Sequence, residues 1–291
     1  MPEIPEVQAL AERVGERLVG ARFVRATALS FSALKTVSPG PHELEGRTLT
    51  QTGRRGKFLI LELDGDRAVV NPMLTGRFQL AAPEARQPTK TAVVLGFGPR
   101  SGGPSDAAPW TSGAAWIPED TASSEVRYRD PTQMGKVYLL PAGVERSVPG
   151  MGEEEQGPDA DDAELTLDVW RGRIRRHPGE LKNLLRNQAF VAGIGNAYSD
   201  EILHAARLLP FRKRSSLASE EIDELYAATG STLARAVDIL RARVPPTFEQ
   251  QVRDFLAVHM KGGQPCPRCG TKISEVKAGG FVTSYCRGCQ R

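Results

Sequence analysis

The chain has 291 residues, of which 40% are apolar, 6% aromatic and 25% charged. This length predicts two domains, each able to bury a hydrophobic core. No apolar run approaches the ~18 residues of a membrane span and no charged-then-apolar leader opens the sequence, so we expect a soluble, cytoplasmic protein without a membrane partner. The formal net charge of +3 is by itself only a weak sign of a polyanionic partner.

The N-terminal half begins with an amphipathic helix, in which Val7, Leu10, Val14 and Leu18 share one face. Short β-like segments separated by turn residues follow, at 23–29, 58–63, 68–70, 92–95 and 136–140. This pattern predicts an N-terminal β-sandwich over residues 1–146, with a barrel as the alternative. Residues 96–125 are rich in Gly, Pro, Ser and Ala and are predicted to form a loop insertion.

The charge is unevenly distributed beyond this domain. Residues 147–170 contain eight acidic residues and neither lysine nor arginine, whereas residues 171–291 contain 20 basic and 11 acidic residues. We interpret 147–164 as an acidic linker. A basic C-terminal half is typical of a nucleic-acid-binding half, although an ordinary solvated surface remains the alternative on charge alone.

The C-terminal half has a helical pattern and ends in a predicted β-hairpin, which gives an α+β fold class. Residues 165–258 are predicted to form a helical domain and 259–291 a separate hairpin. The predicted helices are 165–176, 179–189, 197–206, 219–242 and 247–258.

The four cysteines all lie in the last 26 residues, as Cys266-Pro-Arg-Cys269 and Cys286-Arg-Gly-Cys289. Two such pairs at this separation fit a tetrahedral four-thiolate zinc site, in which a hairpin brings two tight turns together. Two disulfides in a secreted protein are the alternative, which the absent leader disfavours. We therefore predict one structural Zn²⁺, because no histidine or carboxylate in the cluster suggests an open catalytic position.

Pro2 and Glu3 are candidate catalytic residues. Removal of Met1, which a small following residue favours, would leave Pro2 as a secondary amine with a pKa near 8, as is usual for an α-amino group. Such amines condense with sugar C1′ to give iminium ions that promote β-elimination, and an adjacent carboxyl such as Glu3 can manage protons. From this segment alone, a structural role at a helix start is favoured instead.

A glycine-rich turn, Gly193-Ile-Gly-Asn-Ala-Tyr198, lies between two helical segments. Its two glycines allow a tight turn with exposed amides, and Asn196 lies where the next helix begins. Helix N-termini and bare amides bind phosphate, so a helix–two-turn–helix that holds a DNA backbone fits this segment. A plain helical corner remains the alternative.

Together these features resemble the formamidopyrimidine-DNA glycosylase/endonuclease VIII family of base-excision-repair DNA glycosylases with AP lyase activity. The resemblance covers nearly the whole chain outside 96–125 and the linker. It rests on ordered segments: Pro2-Glu3 with Pro5-Glu6, Gly53-Arg-Arg-Gly-Lys57-Phe, Asp130-Pro131 with Gly135, Lys182 with Asn187-Gln188 through Glu201, and Phe255-Leu through the two CxxC pairs.

The resemblance implies that Pro2 is the Schiff-base nucleophile and Glu3 the acid, and that Lys57 supports elimination and binds phosphate. It places Lys182 and Asn196 on the DNA backbone, and it adds Glu6 to the DNA-binding residues. It also implies a monomer that acts on damaged double-stranded DNA and is nucleoid-associated if the source is bacterial.

Departures from the family pattern affect specificity. Family members commonly have Asp-Pro-Arg-Arg-Phe-Gly where this chain has Asp130-Pro-Thr-Gln-Met-Gly135, in the loop that fills the space left by an extruded base. Gln133 can still hydrogen-bond in two directions and Met134 can act as an apolar wedge. Leu74 takes the position of the methionine that family members usually have in the first loop that intercalates into DNA. The neighbouring Met73 leaves open which of the two residues aligns with that methionine.

Two further departures bear on the reaction. Phe281 stands where the family's hairpin typically has an arginine that contacts phosphate and assists δ-elimination, so we expect β-elimination to predominate. The short segment 241–248 favours lesions other than 8-oxoguanine. A damage-binding sensor with little turnover is the alternative function, and a generic zinc-ribbon interaction protein would leave the N-terminal motif unexplained.

Overall fold

The computed structural model describes residues 1–35, 40–100, 123–141, 148–152, 155–243 and 251–291. The described chain falls into two compact units. The first comprises Met1–Val148 and Ile239–Val252, and the second comprises Pro149–Asp238 and Arg253–Arg291. We refer to them as the N-terminal unit and the C-terminal unit.

The described part of the N-terminal unit starts with one helix that precedes eight strands. These elements are α1 (Ile4–Leu18), β1 (Ala21–Ala28), β2 (Leu49–Arg55), β3 (Phe58–Leu63), β4 (Asp66–Asn71), β5 (Arg77–Ala81), β6 (Thr91–Arg100), β7 (Ser124–Arg129) and β8 (Lys136–Leu140). The strands form two antiparallel sheets with the orders β1-β6-β7-β5 and β2-β3-β4-β8. This architecture confirms the predicted β-sandwich with a leading helix.

Helix α1 and both sheets share one hydrophobic core. The four residues predicted to share a face of α1 are all buried in it. The hydroxyl of Thr52 in β2 donates a hydrogen bond to the carbonyl of Ala11 at 2.7 Å. This packing holds the first turn of α1, and with it the N-terminus, against the sandwich.

The predicted loop 96–125 is wrong at both of its ends. Strand β6 continues through Gly96 and Gly98 to Arg100, and β7 already begins at Ser124. The glycines of this stretch resemble loop residues in the sequence, so the second half of β6 was not predicted as a strand. In the structure, the side chains of Arg25 and Val24 on β1 lie close over Gly96 and Gly98. Residues 101–122 of the predicted loop lie outside the described residues. Sequence reasoning also missed strands β2, β5 and β7.

A buried arginine organises the sheet that contains β7. Arg127 is 1% exposed, and its Nε donates to Glu125 Oε2 at 2.8 Å. Its Nη2 donates to the carbonyls of Ala82 and Pro83 at 3.1 and 3.3 Å. The side chain thus ties β7 to the segment that follows β5.

We predict that Arg127→Met lowers the free energy of unfolding by about 3 kcal/mol, because Glu125 would keep a buried charge without its main partner. Arg25, which contacts Glu125 at 2.8 Å, is half exposed and compensates only in part. Chemical denaturation of both proteins measures the loss. The control is the double variant with Glu125→Gln, which should recover part of the stability; an equal loss in single and double variants would contradict the explanation.

The C-terminal unit contains helices followed by a two-stranded hairpin. Its elements are α2 (Leu167–Arg176), α3 (Leu181–Arg186), α4 (Asn196–Ala205), α5 (Ser219–Arg243, whose last residues belong to the N-terminal unit), β9 (Ser274–Ala278) and β10 (Phe281–Tyr285). Together with the sandwich they confirm the predicted α+β fold class. No helix in the described ranges has a stretch long and apolar enough to cross a membrane.

The predicted helix 247–258 is wrong over residues 251–258, which form turns; residues 244–250 lie outside the described chain. The carboxylate of Glu201 explains this, because it accepts hydrogen bonds from the amides of Ala257, Val258 and His259 at 2.7, 2.8 and 2.8 Å. Three successive amides that converge on one side chain cannot also bond along a helix.

The predicted linker also differs from the structure after Glu155. The amide of Gly157 donates to the carbonyl of Gln188 at 2.8 Å, and Pro158 and Ala160 exchange backbone hydrogen bonds with Ala192 at 2.8 and 3.0 Å. This stretch is therefore an integral part of the C-terminal unit. Residues 153 and 154 lie outside the described chain.

Candidate active site and metal centre

The N-terminus of α1 holds the first two candidate catalytic residues, Pro2 and Glu3, which are both buried. The Glu6 carboxylate accepts a hydrogen bond from the amide of Glu3 at 3.0 Å, and the amide of Val7 donates to the Glu3 carbonyl at 3.0 Å. These bonds satisfy two amides at the start of the helix and fix the backbone of its first turn. Glu6, which the resemblance assigned to DNA binding, therefore supports the position of Pro2 and Glu3.

Lys57, the third candidate, lies in the turn between β2 and β3 and is 9% exposed. Arg54 at the end of β2 donates from Nε to Gln8 Oε1 at 2.9 Å. This contact and the Thr52 bond hold the end of β2 beside α1. The turn that carries Lys57 is thereby brought next to the N-terminal half of the helix.

The loop that follows β7 is organised by one carboxylate. Asp130 accepts hydrogen bonds from the amides of Thr132 and Gly135 at 3.1 and 2.7 Å and from the hydroxyl of Thr75. Only glycine fits at position 135, since the Cβ atom of any other residue would lie 1.6 Å from the hydroxyl of Tyr128. Through Thr75, Asp130 also ties this loop to the one between β4 and β5.

Burial alone would raise the pKa of Asp130, but the hydrogen bonds from Thr75, Gly135 and Thr132 outweigh it and hold that pKa below its ordinary value. A lowered folded-state pKa contributes stability that is present above the unfolded pKa of about 3.9 and is lost as the pH falls through the folded value. We predict that Asp130→Asn is less stable than the wild type near neutral pH. Unfolding midpoints of both proteins measured from pH 7 to pH 3 should converge below about pH 4; a constant gap would contradict the prediction.

The two loops joined through Asp130 expose the predicted intercalating side chains. Leu74 and Met134 are each 45% exposed, whereas Met73 is half-buried. Of the two neighbours that could align with the family's methionine, Leu74 is therefore the exposed one. Gln133 has a left-handed backbone (φ 55°) and accepts a weak hydrogen bond from the Ser30 hydroxyl at 3.4 Å. Beside Ser30, sequence reasoning missed Phe31, which is fully exposed; nothing in its local sequence pattern distinguishes it from a buried strand-end aromatic.

The turn between α3 and α4 is held by the side chain of Gln188. Its Oε1 accepts from the Gly193 amide at 2.9 Å, and its Nε2 donates to the carbonyls of Arg186 and Ile194 at 2.8 and 2.9 Å. Gly193 has a positive φ of 95°, which suits glycine. One amide side chain thus fixes the entry of the chain into α4.

Lys182 and Asn196, the predicted backbone-binding residues, both contact the hairpin. Lys182 Nζ and Asn196 Nδ2 each donate to the Val282 carbonyl at 2.9 Å. Lys182 also pairs with Asp200 Oδ1 at 2.7 Å, and its side chain is only 5% exposed. The other oxygen of Asp200 lies 2.8 Å from His259 Nδ1. The structure therefore gives these residues a joint role in seating β10 on α3 and α4.

The four cysteine sulfurs lie within 4.8 Å of one another. Cys266 and Cys289 are 3.9 Å apart between sulfurs, and Cys269 and Cys286 are 3.4 Å apart. Zn–S bonds of about 2.3 Å in a tetrahedron require sulfurs roughly 3.8 Å apart. The donor set and spacing fit a single structural Zn²⁺, as predicted.

A histidine from α4 supports this metal centre and was missed by sequence reasoning, because it lies 62 residues before the first cysteine. His204 Nε2 is 3.3 Å from Cys266 Sγ. Burial and the nearby Arg268 lower the pKa of His204 to about 4, so the ring is neutral at neutral pH. A neutral imidazole that donates to a thiolate ligand orients that ligand and links the centre to α4.

Three family models match the chain along most of its length. The formamidopyrimidine-DNA glycosylase N-terminal domain matches residues 1–137, the H2TH domain of the same enzyme matches 156–244, and the zinc finger found in this enzyme and isoleucyl-tRNA synthetase matches 263–291. Each match contains one of the sites described above.

Curated relatives and solved structures agree with these matches. Formamidopyrimidine-DNA glycosylase of Roseiflexus sp. is 32% identical over the whole of both chains, and that of Symbiobacterium thermophilum is 32% identical over the whole of this chain and 89% of its own. The Lactococcus lactis enzyme, solved non-covalently bound to DNA that contains an AP site, is 24% identical over 99% of both chains and shares the fold with a TM-score of 0.80. The chain belongs to the formamidopyrimidine-DNA glycosylase family of DNA-repair glycosylases.

Proposed function

We propose that this protein excises damaged bases from duplex DNA and then nicks the strand by β-elimination, with Pro2 as the nucleophile. The observation that carries the proposal is the buried start of α1, where the hydrogen bond from the Glu3 amide to the Glu6 carboxylate holds Pro2 and Glu3 in one defined backbone conformation. A protein that only binds DNA has no need of a positioned N-terminal amine.

The reaction begins after removal of Met1. The Pro2 nitrogen attacks C1′ of the damaged nucleotide, a bond forms between them, and the base departs with the electrons of the glycosidic bond. Glu3 delivers a proton to the sugar ring oxygen as the ring opens, which leaves an iminium ion. Loss of a C2′ proton then expels the 3′ phosphate, and water releases the amine.

Access to C1′ requires the damaged nucleotide to leave the stack, at a cost of a few kcal/mol. Leu74 and Met134 are exposed apolar side chains on two linked loops, and Gln133 lies beside Met134. We assign them to filling the vacated space, with Gln133 hydrogen-bonding the orphaned base. Lys57 stabilises the departing phosphate, and a subset of the basic residues in the C-terminal half holds the DNA backbone.

We further propose that the preferred lesion is not 8-oxoguanine, since the segment before Phe255 is short. Ring-opened purines, oxidised pyrimidines, hydantoins and bulkier adducts are the candidate substrates. The aromatic Phe281 in place of an arginine supports β- over δ-elimination.

The test is a panel of duplex and single-stranded oligonucleotides with these lesions, scored for base release separately from strand nicking. Borohydride added during the reaction should trap a covalent protein–DNA complex. Release of a base with trapping supports the proposal. Tight binding of lesion DNA without base release or trapping would instead support the damage sensor, which the altered residues 132–134 favour.

A further inference from the structure

The last residue of α3 and the first residue of β10 form a stacked pair. The guanidinium carbon of Arg186 lies 3.8 Å from the ring centroid of Phe281. This separation is well within the ~6 Å over which a cation is attracted to an aromatic face. Phe281 is 39% exposed and Arg186 is half-buried, so the pair lies at the surface of the C-terminal unit.

The position of the Phe281 ring is fixed by its neighbours in the hairpin. Val282 directly follows it, and the Val282 carbonyl accepts the hydrogen bonds from Lys182 and Asn196 described above. On the other side, the Gly279-Gly280 turn, with φ values of 56° and 78°, directs the chain back into β10. The aromatic platform beneath Arg186 is therefore built into the hairpin.

Stacking suits the guanidinium for binding an oxyanion. The ring occupies one face of the planar group, whereas the N–H donors lie in its plane and can engage a phosphate in a bidentate way. The Lys182 side chain is only 5% exposed, whereas Arg186 is half-buried at the surface. Arg186 is thus the better placed cation for a phosphate at this surface.

We propose that Arg186, oriented by Phe281, is a phosphate-binding residue of this protein and supplies from α3 a guanidinium at the start of β10, where the hairpin itself has Phe281. The inference rests on the proposed function, because it names a group that holds the DNA substrate. It also assigns Phe281 a role as the platform for that group.

The test measures equilibrium binding to a duplex with a tetrahydrofuran abasic analogue as a function of salt. Arg186→Gln should weaken binding about tenfold and reduce the slope of log K against log salt by about 1. Phe281→Leu, which keeps the arginine and removes the platform, should weaken binding about threefold. The double variant Arg186→Gln/Phe281→Arg returns a guanidinium to the same place and should recover most of the affinity.

Arg175→Gln is the matched control, since Arg175 is an exposed arginine on α2 and the change in net charge is the same. It should leave the salt slope unchanged. The proposal is overturned if Arg186→Gln, with normal zinc content and circular dichroism, binds like the wild type, if Arg175→Gln loses as much affinity, or if the double variant shows no recovery. Failure of the wild type itself to trap DNA would instead refute the proposed function.

Discussion

Replacing Pro2 by glycine is expected to abolish the borohydride-trapped complex with abasic DNA, or to reduce its rate of formation by about 100-fold. Two physical reasons support this magnitude. The secondary amine of proline gives an iminium ion that keeps its positive charge at every pH, whereas the imine of a primary amine must be protonated to act as an electron sink. Glycine also frees the backbone before the first turn of α1, and a misplacement of about 1 Å costs about 100-fold in rate.

The matched control is Pro5→Ala, which changes the other proline of the same turn and leaves the amine in place. It should trap DNA within a few-fold of the wild type. Mass spectrometry of each purified protein establishes whether Met1 has been removed. Undiminished trapping by Pro2→Gly would assign the covalent bond to another amine, with Lys57 the first to examine.

Removing one zinc ligand is expected to unfold the C-terminal hairpin. The small core that holds it consists of Val258, Cys266, Ile273 and Cys286, so two of its four buried members are themselves zinc ligands. Structural zinc sites bind with apparent free energies of about 10–16 kcal/mol, which this core cannot replace. Cys286→Ser should therefore lose the metal, become cleavable by protease within 259–291 and bind abasic DNA far more weakly.

Thr283→Ala is the control for this variant, because Thr283 lies in the same strand and is not a ligand. It should retain one zinc per chain and the wild-type pattern of proteolysis. A Cys286→Ser protein without zinc but with an intact, protease-resistant hairpin would show that the metal is dispensable for this fold.

The zinc centre and α1 could be predicted from the sequence because their signals are local. Each CxxC pair lies on one tight turn, and the apolar face of α1 repeats with the helical period. Strand β6 could not be predicted in full, because its glycines resemble loop residues until the side chains of β1 are placed over them. The short segment before the hairpin was mistaken for a helix because its amides bond to Glu201, more than fifty residues earlier.

The candidate active site likewise contains residues that a local motif reveals and residues whose role is visible only in the folded chain. The motif around Pro2 and Glu3 is visible in a short stretch of sequence, but the capping role of Glu6 appears only once the turn is built. In the C-terminal unit, His204, which contacts a cysteine of the metal centre, and Arg186, which stacks on Phe281, carry no sequence signal. Their chemistry depends on groups, Cys266 and Phe281, that only the folded chain brings to them.

The hydrogen bonds that seat the hairpin have a consequence for protein engineering. Asp200 and Glu201 are consecutive residues of α4, and their carboxylates hold Lys182 and the chain that leads into the zinc ribbon. A ribbon transplanted from another zinc-finger protein would replace the His259 imidazole that bonds to Asp200 and would change the position of the Ser284 amide that donates to the same carboxylate. A buried charge that loses such groups is strongly destabilising. Exchange between relatives should therefore succeed only when α3, α4 and the ribbon are transferred together as one inherited block.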